Sequence, residues 1–133
     1  RVAPRVELHL INRQRVEVRL RVLLRVVKGA DPVAVLQETR LRLGVDRDPE
    51  RELGLLDPDR VELGQDLQLS DVYGALAGIS GLRSVVVQRL HREGTPPALF
   101  ERIVTAPGEL LAWAPPSGES DGVALTYEEA QDL

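Results

Sequence analysis

Apolar and charged side chains alternate over residues 15–27. Valine or leucine occupies every even position from 16 to 26, and arginine or glutamate occupies most of the odd positions between them. A β-strand places successive side chains on opposite faces, so this pattern predicts a long strand with one apolar and one charged face. Such a strand either lies within one sheet, with twists or bulges, or extends beyond its own domain and accepts a strand from another chain.

Helix and strand signals flank this segment. Residues 5–11 alternate in the same way and predict a preceding strand with His9 on its polar face. Asp31 and Pro32 are typical of a helix N-terminus, and Gly44 is typical of a helix end. This helix is expected to cover the apolar face of the long strand. Its predicted buried stripe consists of Val33, Leu36, Arg40 and Leu43.

The second half of the chain predicts one more helix and several short strands. Ser70 is the expected N-cap of a helix over residues 71–77. Residues 82–91 predict a buried strand, and residues 98–105 predict a strand antiparallel to it because the connection is short. A last short strand is expected over residues 109–113.

These elements predict an α+β fold, a two-layer sandwich in which a mostly antiparallel sheet of about four to five strands carries two helices on one face. The domain is expected to span residues 1–114. Residues 115–133 begin with a segment rich in Pro, Ser and Gly and predict a linker with a loosely ordered or partner-docking tail. Within it, residues 123–127 either add a small strand or dock on another subunit. The chain contains no methionine, so a fragment or trimmed product is expected.

Charge is divided unevenly along the chain. Residues 1–28 carry a net charge of +6 and the remainder carries −10, which together give −4. A basic segment of this kind either binds nucleic acid or pairs with acidic groups in this chain or the next subunit. No aromatic residues that would stack on bases are interleaved with the arginines, so nucleic acid is an unlikely partner. The candidate partner interface consists of Arg15, Arg19, Arg21, Arg25, Trp113 and Tyr127.

Residues 45–64 are irregular and acidic. The spacing of Asp and Glu between residues 46 and 52 superficially suggests a cation site, but Pro49 interrupts it and the glycine of a calcium loop is missing. A solvated loop, or an acidic patch that faces arginines, is the expected structure.

Catalytic and cofactor signatures are not found in the sequence. The chain has no cysteine, which excludes disulfides, thiol catalysis and cysteine-based metal sites. It carries no nucleophile elbow, phosphate-binding loop or dinucleotide fingerprint. No apolar run approaches the roughly 20 residues that span a bilayer. We therefore expect no enzyme activity, cofactor, metal or membrane partner.

Several short motifs occur in a characteristic order. Gly-Ala-Asp-Pro begins at Gly29, Leu-Asp-Pro at Leu56, Leu-Ser-Asp-Val-Tyr at Leu69 and Gly-Glu-Leu at Gly108. In this order the chain resembles the C-terminal part of baseplate J-like proteins of contractile phage tails and related injection systems. The resemblance covers about residues 15–113. The loop over residues 45–59 lacks the aromatic-glycine element usual there.

The resemblance implies a structural role in the wedge of a baseplate, which links the central hub to the sheath. It implies other baseplate or tail proteins as partners, a possible homo-oligomer, assembly in the cytoplasm as part of a tail-like particle, and no cofactor or reaction. The alternatives are a small-molecule-binding regulatory domain and nucleic acid binding through the basic N-terminal strands.

Overall fold

The structure is a computed structural model that describes residues 14–116 and 122–130. The strand predicted over residues 5–11, with His9, lies outside the described residues. In chain order the described elements are β1 (Gln14–Val26), α1 (Pro32–Leu43), β2 (Leu67–Gln68), α2 (Leu69–Leu76), β3 (Leu82–Arg92), β4 (Arg102–Ile103), β5 (Glu109–Trp113) and β6 (Val123–Glu129).

β1 is the centre of a four-stranded mixed sheet. β3 pairs with it antiparallel on one edge, and β5 and β6 pair with it parallel. The β1–β3 register shifts after Arg21 and again after Arg25, as expected at β-bulges. Of the two alternatives for the long strand, the structure thus has a bulged strand within one sheet. The predicted α+β class is confirmed, and two of the three pairings of β1 are parallel.

β5 and β6 behave as one interrupted strand. β5 pairs with the first part of β1 and β6 with the rest, so that Ala114 and Gly122 both fall opposite Arg19. A Cβ atom on Gly122 would overlap the carbonyl oxygen of Ala114, which shows that the two ends meet. The chain therefore re-enters the sheet at Gly122, at the register position that it left at Ala114. β6 lies in the segment for which a linker and tail were predicted, and of the two alternatives for residues 123–127 the structure has the added strand.

The strand predicted over residues 98–105 is wrong in most of its length. Only Arg102–Ile103 is a strand, and it pairs with Leu67–Gln68 in a small second sheet. Residues 98–100 contact β3 in a parallel bridge, in which Leu90 donates its N–H to Ala98 O and accepts from Phe100 N–H. The preceding Pro96 and Pro97 have no N–H to offer an antiparallel ladder, which explains why the hairpin is not continued.

The core lies between the apolar face of the sheet and the two helices. All even-numbered residues of β1 from 16 to 26 are at most 4% exposed. α1 begins at the predicted N-cap, where Asp31 accepts from Val33 N–H at 3.0 Å, and ends at Gly44.

The buried stripe of α1 differs from the prediction. It consists of Val35, Thr39 and Leu43, and Val33 is 58% exposed. Thr39 is buried because its hydroxyl donates to Val35 O at 2.8 Å, which satisfies the only polar group of its side chain. A core position occupied by threonine conceals the helical period in the sequence.

α2 begins at Leu69, and Ser70 is not its N-cap as predicted. The side chain of Asp71 instead accepts from the N–H of Gln68 at 2.9 Å, which is half of a capping box. Val72 and Leu76 then pack into the same core as β1. The helix is also tied to the sheet, because the hydroxyl of Tyr73 accepts from Val87 N–H at 3.2 Å.

Ion pairs hold the acidic segment 45–64 to its surroundings, so the acidic patch facing arginines is the alternative that the structure contains. Hydrogen bonds from Arg51, together with Arg42, lower the pKa of Glu38 from 4.5 to about 2. The Arg47 guanidinium likewise lowers the pKa of Asp57, which is only 2% exposed. Glu38 belongs to α1, and within the segment itself Asp46 pairs with Arg40 and Asp57 with Arg47, so these ion pairs connect the segment to α1 and to itself.

Candidate protein-interaction face

The charged side of the sheet is formed by the odd-numbered residues of β1 from 15 to 25 and their cross-strand neighbours, and we call it the outer face. It turns away from the core because the even-numbered residues of β1 are the ones buried. On β3 the neighbours are Ser84, Val86, Arg89 and His91, and on β6 they are Ala124, Thr126 and Glu128. Of the candidate interface residues, the structure brings the four arginines of β1 together here.

Two arginines of the outer face have acidic partners. Arg19 forms an ion pair with Glu93, whose backbone N–H also donates to Glu17 O at 2.8 Å. Arg25 lies 3.1 Å from a carboxylate oxygen of Glu128, with each side chain about half exposed. Exposed pairs of this kind contribute at most about 1 kcal/mol each, so they chiefly set the local charge pattern.

Arg21 and Arg89 are directly opposite each other on β1 and β3. Both side chains are exposed, and neither has an ion pair or a side-chain hydrogen bond within residues 14–116 and 122–130. Like charges at directly opposed positions destabilise a sheet, by an amount similar to the roughly 0.2–1 kcal/mol that favourable cross-strand pairs contribute. The free chain thus carries a small electrostatic cost at this position.

The two arginines border an open cleft of about 580 Å³ on the outer face. The turn over residues 93–97 forms one wall of the cleft. On the β6 side the cleft is open, because the residue paired with Arg21 there is Ala124, which has a small side chain. His91 lies at the bottom and is 5% exposed. Its Nδ1 is 3.0 Å from the carbonyl oxygen of Arg92. The cleft therefore combines fixed backbone walls with exposed guanidinium groups.

Trp113 and Tyr127 do not accompany the arginines. Trp113 is half-buried on the core side, and its Nε1–H donates to Leu43 O at the end of α1 at 2.7 Å. Tyr127 is opposite Leu24 and so belongs to the core side of β6, where it is 52% exposed beyond the cover of the helices. Trp113 therefore packs against the end of α1, and a role of Trp113 or Tyr127 in a partner interface stays a prediction.

Sequence reasoning missed an apolar surface formed after β3. Leu99, Phe100 and Val104 are 49%, 48% and 57% exposed, although residues 98–105 were predicted to form a strand antiparallel to β3. The signal that was available is the Pro96–Pro97 pair, which prevents regular pairing of the residues that follow.

Residues 14–116 and 122–130 contain no group of three or more His, Asp or Glu side chains placed to hold a metal ion. Neither α1 nor α2 has the length and apolar character needed to cross a bilayer. Comparison of the whole chain with protein-family models, curated proteins and solved structures finds no match.

Proposed function

We propose that the chain is a structural component of the baseplate of a contractile tail-like particle, where it binds neighbouring subunits and catalyses no reaction. The observation that carries this proposal is the outer face, on which four arginines of one strand are held in register on a rigid sheet. A charged surface built on regular secondary structure suits the recognition of another protein, because its groups are ordered before binding.

The motifs that carry the family resemblance support the proposal through their positions. Asp31 and Pro32 begin α1, and the segment from Leu69 to Tyr73 begins α2 and connects it to β3 through the Tyr73 hydroxyl. Asp57 of the Leu-Asp-Pro motif is buried and paired with Arg47. Residues at such junctions determine how the elements are arranged, so a shared motif order is consistent with a shared fold and role.

The partners proposed are other baseplate or tail proteins, and assembly would take place in the cytoplasm before the particle is complete. A second contact area is available in the exposed apolar residues Leu99, Phe100 and Val104. Exposed apolar side chains of this size are frequently part of interaction sites. A charged face and a separate apolar surface would allow the chain to contact two neighbours at once.

The experiment is co-expression of the chain with the proteins encoded by its neighbouring genes, among which the proposal expects tail proteins. We expect at least one of them to co-purify, and light scattering to show a complex larger than the isolated chain. A chain that remains monomeric and binds none of the tail proteins would contradict the proposal. The same preparation is tested against DNA and RNA, where a tight, steeply salt-dependent affinity would favour the nucleic-acid alternative.

A further inference from the structure

The arginine pair of the outer face differs from the other charges around it. Arg19 and Arg25 each have a carboxylate partner in this chain, whereas Arg21 and Arg89 have none within the described residues. Both guanidinium groups border the same cleft, with Arg21 and Arg89 on adjacent strands. Among residues 14–116 and 122–130, these two exposed positive charges thus lie side by side with no carboxylate partner of their own, since Glu93, which also lines the cleft, is paired with Arg19.

This arrangement is unfavourable for the isolated chain, because like charges at directly opposed strand positions repel. It becomes favourable when an anionic group lies between the two guanidinium groups. A carboxylate accepts charge-assisted hydrogen bonds from arginine in a planar, bidentate geometry. The cleft has room for such a group because Ala124, with its small side chain, is opposite Arg21.

We propose that this cleft binds the carboxylate side chains of an acidic segment of a partner protein. The inference rests on the proposed function and specifies the chemistry of the partner. Protein carboxylates fit better than nucleic acid because no outer-face position of β1, β3 or β6 described above carries Phe, Tyr or Trp, and the one imidazole, that of His91, is only 5% exposed and so is poorly placed for base stacking. Pro96, Pro97 and Ala124 also line the cleft and offer apolar contact to the stems of Glu side chains.

The test uses the full chain and a fluorescein-labelled peptide in which Glu and Ala alternate. Fluorescence anisotropy is measured for the wild type and for the double variant Arg21→Gln/Arg89→Gln. The control variant is Lys28→Gln/Arg102→Gln, which removes the same charge at exposed positions beyond the end of β1 and on β4. We expect the outer-face variant to weaken binding by about tenfold or more, and the control by less than about twofold.

Three results would overturn the inference. One is equal weakening by the two double variants, which would indicate attraction to net charge alone. Another is equal binding of a peptide in which Gln replaces Glu, and the third is preferential binding of an oligonucleotide of the same charge. Arg21 and Arg89 are exposed and form no ion pair with any residue that the structure describes, so the variant is expected to fold, which circular dichroism verifies.

The inference and the proposed function fail separately. If tail proteins co-purify with the wild type and equally well with the outer-face variant, the cleft is not the docking site but the assembly role stands. If the acidic peptide binds at the cleft while no tail protein co-purifies, the carboxylate site stands and the baseplate role is wrong.

Discussion

The loop that follows α1 returns to the C-terminal end of the helix at Gly54, and this close approach provides a severe test of the fold. Gly54 is buried against the helix C-terminus, and a Cβ atom there would lie less than 3.0 Å from Gly44 N and Leu41 O, a separation that real Cβ atoms essentially never show. Both obstructing atoms belong to the backbone, so no side chain can rotate away. Gly54→Ala must therefore push the loop off the helix.

The displacement breaks the bonds that dock the loop. Leu55 N–H donates to Arg42 O at 2.9 Å, and Leu56 N–H donates to Leu43 O at 3.1 Å. Losing two backbone hydrogen bonds costs about 0.5–1.5 kcal/mol each. Overpacking adds about 1–3 kcal/mol, which gives a total of roughly 2–6 kcal/mol. The reduced entropy of the unfolded chain offsets only about 0.4–1 kcal/mol of this.

Urea titrations followed by circular dichroism and by Trp113 fluorescence measure the effect. The matched control is Gly74→Ala in α2, where an added Cβ meets no atom within 4 Å. Alanine there should stabilise the protein by up to about 1 kcal/mol, because glycine is a poor helix former. Surface substitutions typically change the free energy of unfolding by no more than about 0.5 kcal/mol. If the free energy of unfolding of Gly54→Ala lies within that margin of the wild-type value, the loop does not lie on α1 and the reasoning is refuted.

Two further predictions concern an ion pair and the interrupted strand. Because Arg51 and its neighbours lower the pKa of Glu38 from 4.5 to about 2, the ion pair stabilises the fold above pH 4.5 and this stabilisation is lost as the pH falls towards 2. The pKa difference corresponds to roughly 3 kcal/mol at most, which partial exposure reduces to about 1 kcal/mol. Urea titrations should show that the free energy of unfolding falls less between pH 7 and pH 3 for Glu38→Gln than for the wild type. An equal decrease in the two proteins would contradict the assignment. Deleting residues 115–122 should preserve the fold, because it joins β5 to β6 with each strand still in its own register against β1. Deleting residues 115–121 instead shifts β6 by one position, which turns its core-side residues to the outer face and should cause a large loss of thermal stability. Equal melting temperatures for the two deletions would show that β5 and β6 are not aligned in this way.

Local signals predicted much of the fold correctly. The alternation in β1 and the Asp31, Pro32 and Gly44 signals of α1 were sufficient, because each depends on residues that are neighbours in the chain. The parallel pairing of β5 and β6 with β1 was not predictable, since it depends on contacts across about a hundred residues. The burial of Thr39 was hidden for a different reason: its compensating bond is visible only in three dimensions.

The candidate interface shows the same division. The arginines of β1 were placed on one face by the period of the strand alone. The pairing of Arg21 with Arg89 depends on the β1–β3 register, which includes two bulges that cannot be predicted from the local sequence pattern. Trp113 was grouped with the arginines by residue type, whereas its register opposite Val18 places it on the other face.

The central position of β1 has a consequence for how the chain acquires its structure. One edge of β1 pairs with β6, whose residues are synthesised about a hundred positions later. Contacts so distant in sequence form slowly, because the long intervening segment must first be ordered. The backbone groups on that edge of β1 consequently stay unpaired on the ribosome until β6 has emerged, and in this period the exposed strand edge makes the nascent chain prone to aggregate or to need a chaperone.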